Sequence, residues 1–202
     1  KISEKIIFGL NDYIFAEKYG IKLDYLAIMD VLDEKPQIVA GINSLQDVIK
    51  RINNMKIPLI SPFVYEEIPL SQAFPLEQAK KVFGMSYFSN TISYMICYTL
   101  LQGAKEIELY GINQASSTEY FYEKAGIEYW LGIANGLGVK ITINGDKSEL
   151  LTNKARFGGG LLYGYNQSYQ EIMHLKEKFG IPIIKKLLNF KPPVSRTIRK
   201  II

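Results

Sequence analysis

Short apolar runs, each cut off by a polar or glycine-bearing turn, constrain the fold most. Lys5–Phe8 stops at Gly9, Tyr25–Met29 at Asp30, and Pro58–Ile60 at Ser61-Pro62. Glu106–Tyr110 stops at Gly111, and Val139–Ile143 at Asn144-Gly145-Asp146. Such runs are too short for buried helices and read as strands covered on both faces. Between them lie segments with helical spacing. Asp12–Tyr19 reads as a short helix stopped by Gly20, and Leu45–Asn53 carries a stripe at Leu45, Val48, Ile49 and Ile52. Thr91–Gln102 is an apolar helix with Gly103 where a terminating glycine belongs. Thr118–Asn135 reads as a long helix and Asn166–Phe179 as a last amphipathic one, whereas Phe63–Phe74 and the glycine-rich 144–165 read as loops. Strands alternating with helices predict an α/β chain: a three-layer, Rossmann-like sandwich around a mainly parallel sheet.

Charge divides the chain further. The last eighteen residues, 185–202, hold six of its 24 basic residues and none of its 20 acidic ones, so the net +4 hides a body that is negative by two. We expect a nucleotide-binding domain over 1–184 and a basic tail over 185–202. The near-neutral body argues against a general nucleic-acid surface. The tail interleaves its bases with Leu, Phe and Ile. It suits an anionic membrane face, a polyanion or a protein partner, as well as a solvated extension. A single cysteine, Cys97, excludes an internal disulfide or a cysteine-rich metal centre, and a single histidine, His174, excludes a histidine-rich one. No apolar run approaches the roughly 18 residues of a membrane span, and no leader is visible. The expectation is a cytoplasmic protein, membrane-peripheral at most, with self-association left open.

Ligands of parallel sheets bind beyond the carboxyl ends of the strands. That rule selects Asn11, Asp30, Ser61, Gly111, Asn113, Asn144 and Asp146 as candidates, although Asn, Asp and Gly are also ordinary turn residues. Ser89, Asn90 and Thr91 open the apolar helix. They read either as a simple cap or as a phosphate site at the helix start, where free N–H groups and a partial positive charge collect. Glu119 and Glu128 fall on roughly opposite helix faces, so they do not form a carboxylate pair, and Glu119 is nearer the strand ends. Arg156–Tyr165 contains Gly158-Gly159-Gly160 without a GxxxxGK[ST] or GxGxxG pattern. It reads as a lid carrying Tyr163. His174 lies on the last predicted helix, where a packed or surface role competes with that of a base.

The stretch FSNTISYMICYTLLQGAKEIELYGIN (88–113) resembles the SSxxYMxxxAxxxGxKEIxLxGxD core of bacterial sialyltransferases of the lipooligosaccharide type and of motility-associated glycosyltransferase-like proteins. Residues 119–143, from Glu119-Tyr120 through Glu128-Tyr129 and Gly136-Leu137-Gly138 to Ile143, resemble a phage-encoded group related to both, often labelled pterin diphosphokinase-like. Upstream, IIFGLNDYIFAEKYGIKLDYLAIMD (6–30) is similar to the strand–Asn-x-Tyr–helix–strand segment of these proteins. The resemblance implies a Rossmann-like glycosyltransferase fold that holds a nucleotide-sugar donor with no required cofactor or metal. It implies that Asn11 and Asp30 contact the nucleotide, that Ser89, Asn90 and Thr91 line the phosphate site, and that Gly111 allows close backbone approach. The family's first strand and its Gly-x-Gly-Pro-Ser loop have no counterpart before residue 5, and its Gly-x-Asp is Gly111-Ile112-Asn113 here.

Three functions follow as expectations. One is transfer of a sugar to an acceptor hydroxyl, with Asp30 or Glu119 as base, and His174 or Tyr163 less favoured. A second is an ATP- and Mg²⁺-dependent diphosphokinase drawing on Asp30, Asp33 and Asp146. A third is a non-catalytic nucleotide-binding or assembly protein that docks through its tail.

Overall fold

The computed structural model describes residues 5–32, 44–112, 114, 121–145, 148 and 150. All lie in the first of two compact units, Lys1–Asn153 and Lys154–Ile202. The predicted helix 166–179, the lid 156–165 and the basic tail fall outside the described residues. The described chain is mixed α/β. It runs β1 (Phe8–Leu10), a 3-10 helix (Asn11–Tyr19), β2 (Tyr25–Ala27), α1 (Leu45–Met55), β3 (Leu59–Ser61) and β4 (Ser71–Ala73). It continues with α2 (Leu76–Phe83), α3 (Thr91–Leu101), β5 (Glu106–Tyr110), α4 (Phe121–Gly136) and β6 (Lys140–Asn144). Among the described residues, no helix is long and apolar enough to cross a membrane.

Strands β1 to β4 form one parallel sheet in sequential order, and β5 and β6 form a parallel pair. Two contacts bring β5 and the loop after it near the segments flanking β1. Lys5 Nζ, just before β1, meets Glu108 Oε2 of β5 at 2.8 Å. Beyond the strands, a Cβ on Gly111 would stand 3.9 Å from the Tyr13 hydroxyl. Strands β1–β4 and β5–β6 remain two separately paired sheets. The Lys5–Glu108 pair is exposed, and it marks the juxtaposition more than it stabilises it.

Alternation along β2 and β3 separates two cores, as a strand covered on both faces requires. Leu26, Ile28 and Leu59 pack with Ile14 of the 3-10 helix and with Val48 and Ile52 of α1. Ala27 and Ile60 face the opposite side, with Ala79 of α2, Met95, Ile96 and Cys97 of α3, and Ile127, Trp130, Leu131 and Ala134 of α4. Ile107 and Leu109 of β5 join this second core. Helices therefore cover both faces of the sheet, a layout consistent with a Rossmann-like arrangement.

The structure moves several expected boundaries. The predicted strand Lys5–Phe8 becomes Phe8–Leu10, because the pairing with β2 begins at Phe8↔Tyr25. Ile7 is held instead by Asp24, whose carboxylate accepts its N–H at 2.8 Å. The segment expected to be one loop, 63–74, contains β4, zipped to β3 by backbone bonds from Leu59 N to Leu70 O and from Phe74 N to Ser61 O.

Cys97 is fully buried and free. Burial pushes its thiol up from 9.0 to about 12. The folded state thus keeps a proton that the unfolded chain releases. Its stabilising effect is complete below pH 9 and is lost as pH rises from there toward 12, with a limiting slope of about 1.4 kcal/mol per unit. Burial raises Tyr94 and Tyr98 as well, so they act in the same sense above pH 10. Urea titrations between pH 8 and 11 should show a falling midpoint, with a shallower fall in Cys97→Ala. The native thiol should resist alkylation at pH 8. Labelling of the folded chain at the unfolded rate would refute this burial.

Candidate functional site

The candidate site lies beyond the carboxyl ends of the strands, where the chain leaving β1 comes near the chain leaving β5. The backbone takes left-handed turns after three of the strands. Asn11 after β1 has φ 46°, Gly111 after β5 has φ 71°, and Gly145 after β6 has φ 125°. Asn tolerates the left-handed region through its short polar side chain, and Gly through its missing Cβ.

Helix α3 begins at the same place. Its first residue, Thr91, is buried, and its Oγ1 donates to Asn11 Oδ1 at 3.1 Å. This bond ties the end of β1 to the start of α3. Asn90 caps the helix by accepting from Ser93 N at 3.0 Å, while Ser93 Oγ accepts from Asn90 N at 3.3 Å and Ser89 N at 3.2 Å. Among the described residues, no acceptor is bonded to the N–H groups of Thr91 and Ile92, which point out of the first turn.

The first turn of α4 meets the segment that leads into α3. Ser89 Oγ donates to Glu123 O at 2.6 Å, and Asn90 Nδ2 donates to Glu123 Oε2 at 2.9 Å. Gly126 makes this approach possible, since a Cβ there would come within 2.1 Å of Ser89 Oγ. Glu123 therefore places a carboxylate beside the start of α3. Sequence reasoning passed it over. Its signal is positional: it stands one turn ahead of Ile127 and two ahead of Trp130 and Leu131, at the head of the buried stripe of α4.

Asn11 and Thr91 meet directly, and Gly111 lies near Tyr13, two residues beyond Asn11. Ser89 and Asn90 precede Thr91, with their side chains engaged in the cap and with Glu123. Asp30 is half-buried beyond the end of β2. Ser61 is fully buried, and its hydroxyl donates to Phe63 O at 2.7 Å, which makes it a turn residue. Glu128 pairs with Lys124 at 3.5 Å one turn away on the helix surface. Asn113, Glu119, Tyr163 and His174, with Asp33 and Asp146, lie outside the described residues. The exposed rings of Tyr13 and Tyr110 stand at the ends of β1 and β5. No protein-family model, curated protein or solved structure matches the chain.

Proposed function

We propose that this protein binds a nucleotide-sugar beyond the ends of β1 and β5 and transfers the sugar to an acceptor hydroxyl. The Asn11–Thr91 bond carries the reading, because it joins the first strand end to a helix start whose leading N–H groups are unbonded among the described residues. A diphosphate or phosphate ester set against that first turn would accept from the Thr91 and Ile92 amides. In transfer, the acceptor oxygen bonds to the anomeric carbon as the bond from that carbon to the phosphate oxygen breaks. The electron pair leaves with the phosphate, where amide donors stabilise it. The acceptor proton goes to a carboxylate, for which Asp30 is the described candidate and Glu119 the other. Glu123 orients the start of α3 through Asn90.

The test is a thermal-shift series with CMP, UDP, GDP, ADP, ATP and their sugar conjugates, with and without Mg²⁺. A ligand at 100 times its Kd adds about 2.7 kcal/mol, an easily measured rise in Tm. We expect a metal-independent rise with one donor class. Thr91→Val should weaken that ligand about tenfold, the loss of a single buried hydrogen bond of about 1–1.5 kcal/mol. Asp30→Asn should keep the binding and lose transfer. A rise with ATP only in the presence of Mg²⁺ would replace this reading by the diphosphokinase. Binding without transfer to any acceptor would replace it by a non-catalytic binder.

A further inference from the structure

Strand β2 lies between β1 and β3, so the chain leaving β2 has a neighbour on each side. Leu10 of β1 stands opposite Ala27, and Ala27 stands opposite Ile60 of β3. The pairing of β2 with β3 sets each residue opposite the one 33 positions later. That offset persists beyond the strands. The Leu32 N–H donates to the Tyr65 hydroxyl at 3.2 Å, again across 33 positions. Leu32 is buried in the core that holds Leu26 and Leu59, and Tyr65 packs against that core. Asp30 lies between these fixed points, and the same offset places it opposite Phe63.

Phe63 is 58% exposed and Val64 is 64% exposed. One exposed apolar side chain is ordinary, but two in succession at the ligand-binding edge of a parallel sheet suit a contact surface. Their setting limits the occupant. Glu66 and Glu67 follow, both exposed, and Asp30 is half-buried on the neighbouring strand end. These carboxylates disfavour an anionic group or an anionic lipid surface, and they accept hydrogen bonds from hydroxyls. A neutral pyranose ring meets both conditions. It carries hydroxyls around its rim and a face of C–H groups, whose slight positive charge suits the negative face of an aromatic ring. We propose that Phe63 is the platform for a neutral sugar acceptor beside Asp30, with Val64 extending the apolar surface. The proposal rests on the transferase reading above. That reading puts the donor on the β1 side of Asp30, at Asn11 and Thr91, so the acceptor approaches from the β3 side.

Initial rates of the full chain with the donor found by thermal shift test it. The acceptors are glycerol and the methyl glycosides of glucose, galactose, mannose and N-acetylglucosamine. Glycerol offers hydroxyls without a ring face. The wild type should show a KM for at least one glycoside about tenfold below that for glycerol. Phe63→Ala should raise that glycoside's KM about tenfold and leave the donor Kd unchanged. Phe63→Tyr keeps the aromatic face and should keep the wild-type KM. Both variants change an exposed side chain, so both should fold with the wild-type Tm. A wild-type glycoside KM in Phe63→Ala would overturn the platform and leave the transferase standing, as would transfer to glycerol with no glycoside preferred. Equal weakening of donor and glycoside in Phe63→Ala would overturn it in favour of a contact to the donor. No transfer to any of the five acceptors would overturn both proposals.

Discussion

Trp130→Ala is expected to cost about 3–5 kcal/mol, enough to consume much of the stability of an ordinary domain. The indole is fully buried. It stacks on Phe88 with centroids 5.0 Å apart and planes 10° apart, and it meets Phe83 edge-on at 5.2 Å. Its Nε1 donates to Tyr87 O at 2.7 Å. Alanine would therefore leave a large cavity and orphan a backbone carbonyl, two separate penalties. Trp130→Phe keeps most of the volume and loses the hydrogen bond, so it should cost about half as much. Trp130 is the chain's only tryptophan, and unfolding should be followed by circular dichroism because these variants lose that fluorophore. The damage should reach the candidate site, since Phe88 immediately precedes Ser89 and Asn90. A loss below about 1 kcal/mol in Trp130→Ala would mean that this aromatic cluster does not hold α4 against the segment before α3.

The strands most visible in the sequence are those whose stabilisation is local to them. Glu106–Tyr110 was readable residue for residue, because alternation places Ile107 and Leu109 inward and Lys105 and Gly111 bound the run. Helix α3 was readable at its start, because Asn90 and Ser93 supply a capping box within a few residues. β4 was not readable. Ser71-Gln72-Ala73 has no apolar period, and only the backbone of β3 makes it a strand. Helix α2 was passed over, although Ala79 is buried on it, because a proline precedes it and lysines fill its exposed face. Pairing partners, which sequence spacing does not contain, also decided where β1 begins.

The site followed the same division. The rule that ligands gather at strand ends selected Asn11 and Gly111, and the helix start selected Thr91. Neither said which hydroxyl turns inward. Thr91 reaches Asn11 across 80 positions, whereas Ser89 is spent on Glu123 34 positions away. Nothing in the sequence singled out Glu123, because its partner Asn90 lies on another element.

Gly126→Ala should produce the second large loss, about 2–3 kcal/mol, through overpacking. Its Cβ would meet Ser89 Oγ at 2.1 Å, Ser89 Cβ at 2.9 Å and Ser89 N at 3.1 Å. Rotation of the serine side chain relieves only the first of these, so α4 or the backbone before α3 has to move. Movement of either strains the bonds from Ser89 and Asn90 to Glu123 and the stack of Phe88 on Trp130. Nucleotide binding should fall with stability, because the first turn of α3 hangs from these contacts. A second substitution tests the cause. Ser89→Gly removes both Oγ and Cβ, so the double variant should recover more stability than the two single effects predict by addition. A favourable coupling of about 1 kcal/mol in a double-mutant cycle is the expected result. Additive losses would instead assign the damage to the helix propensity and backbone of α4, and the close approach of α4 to Ser89 would no longer explain how the segment before α3 is held.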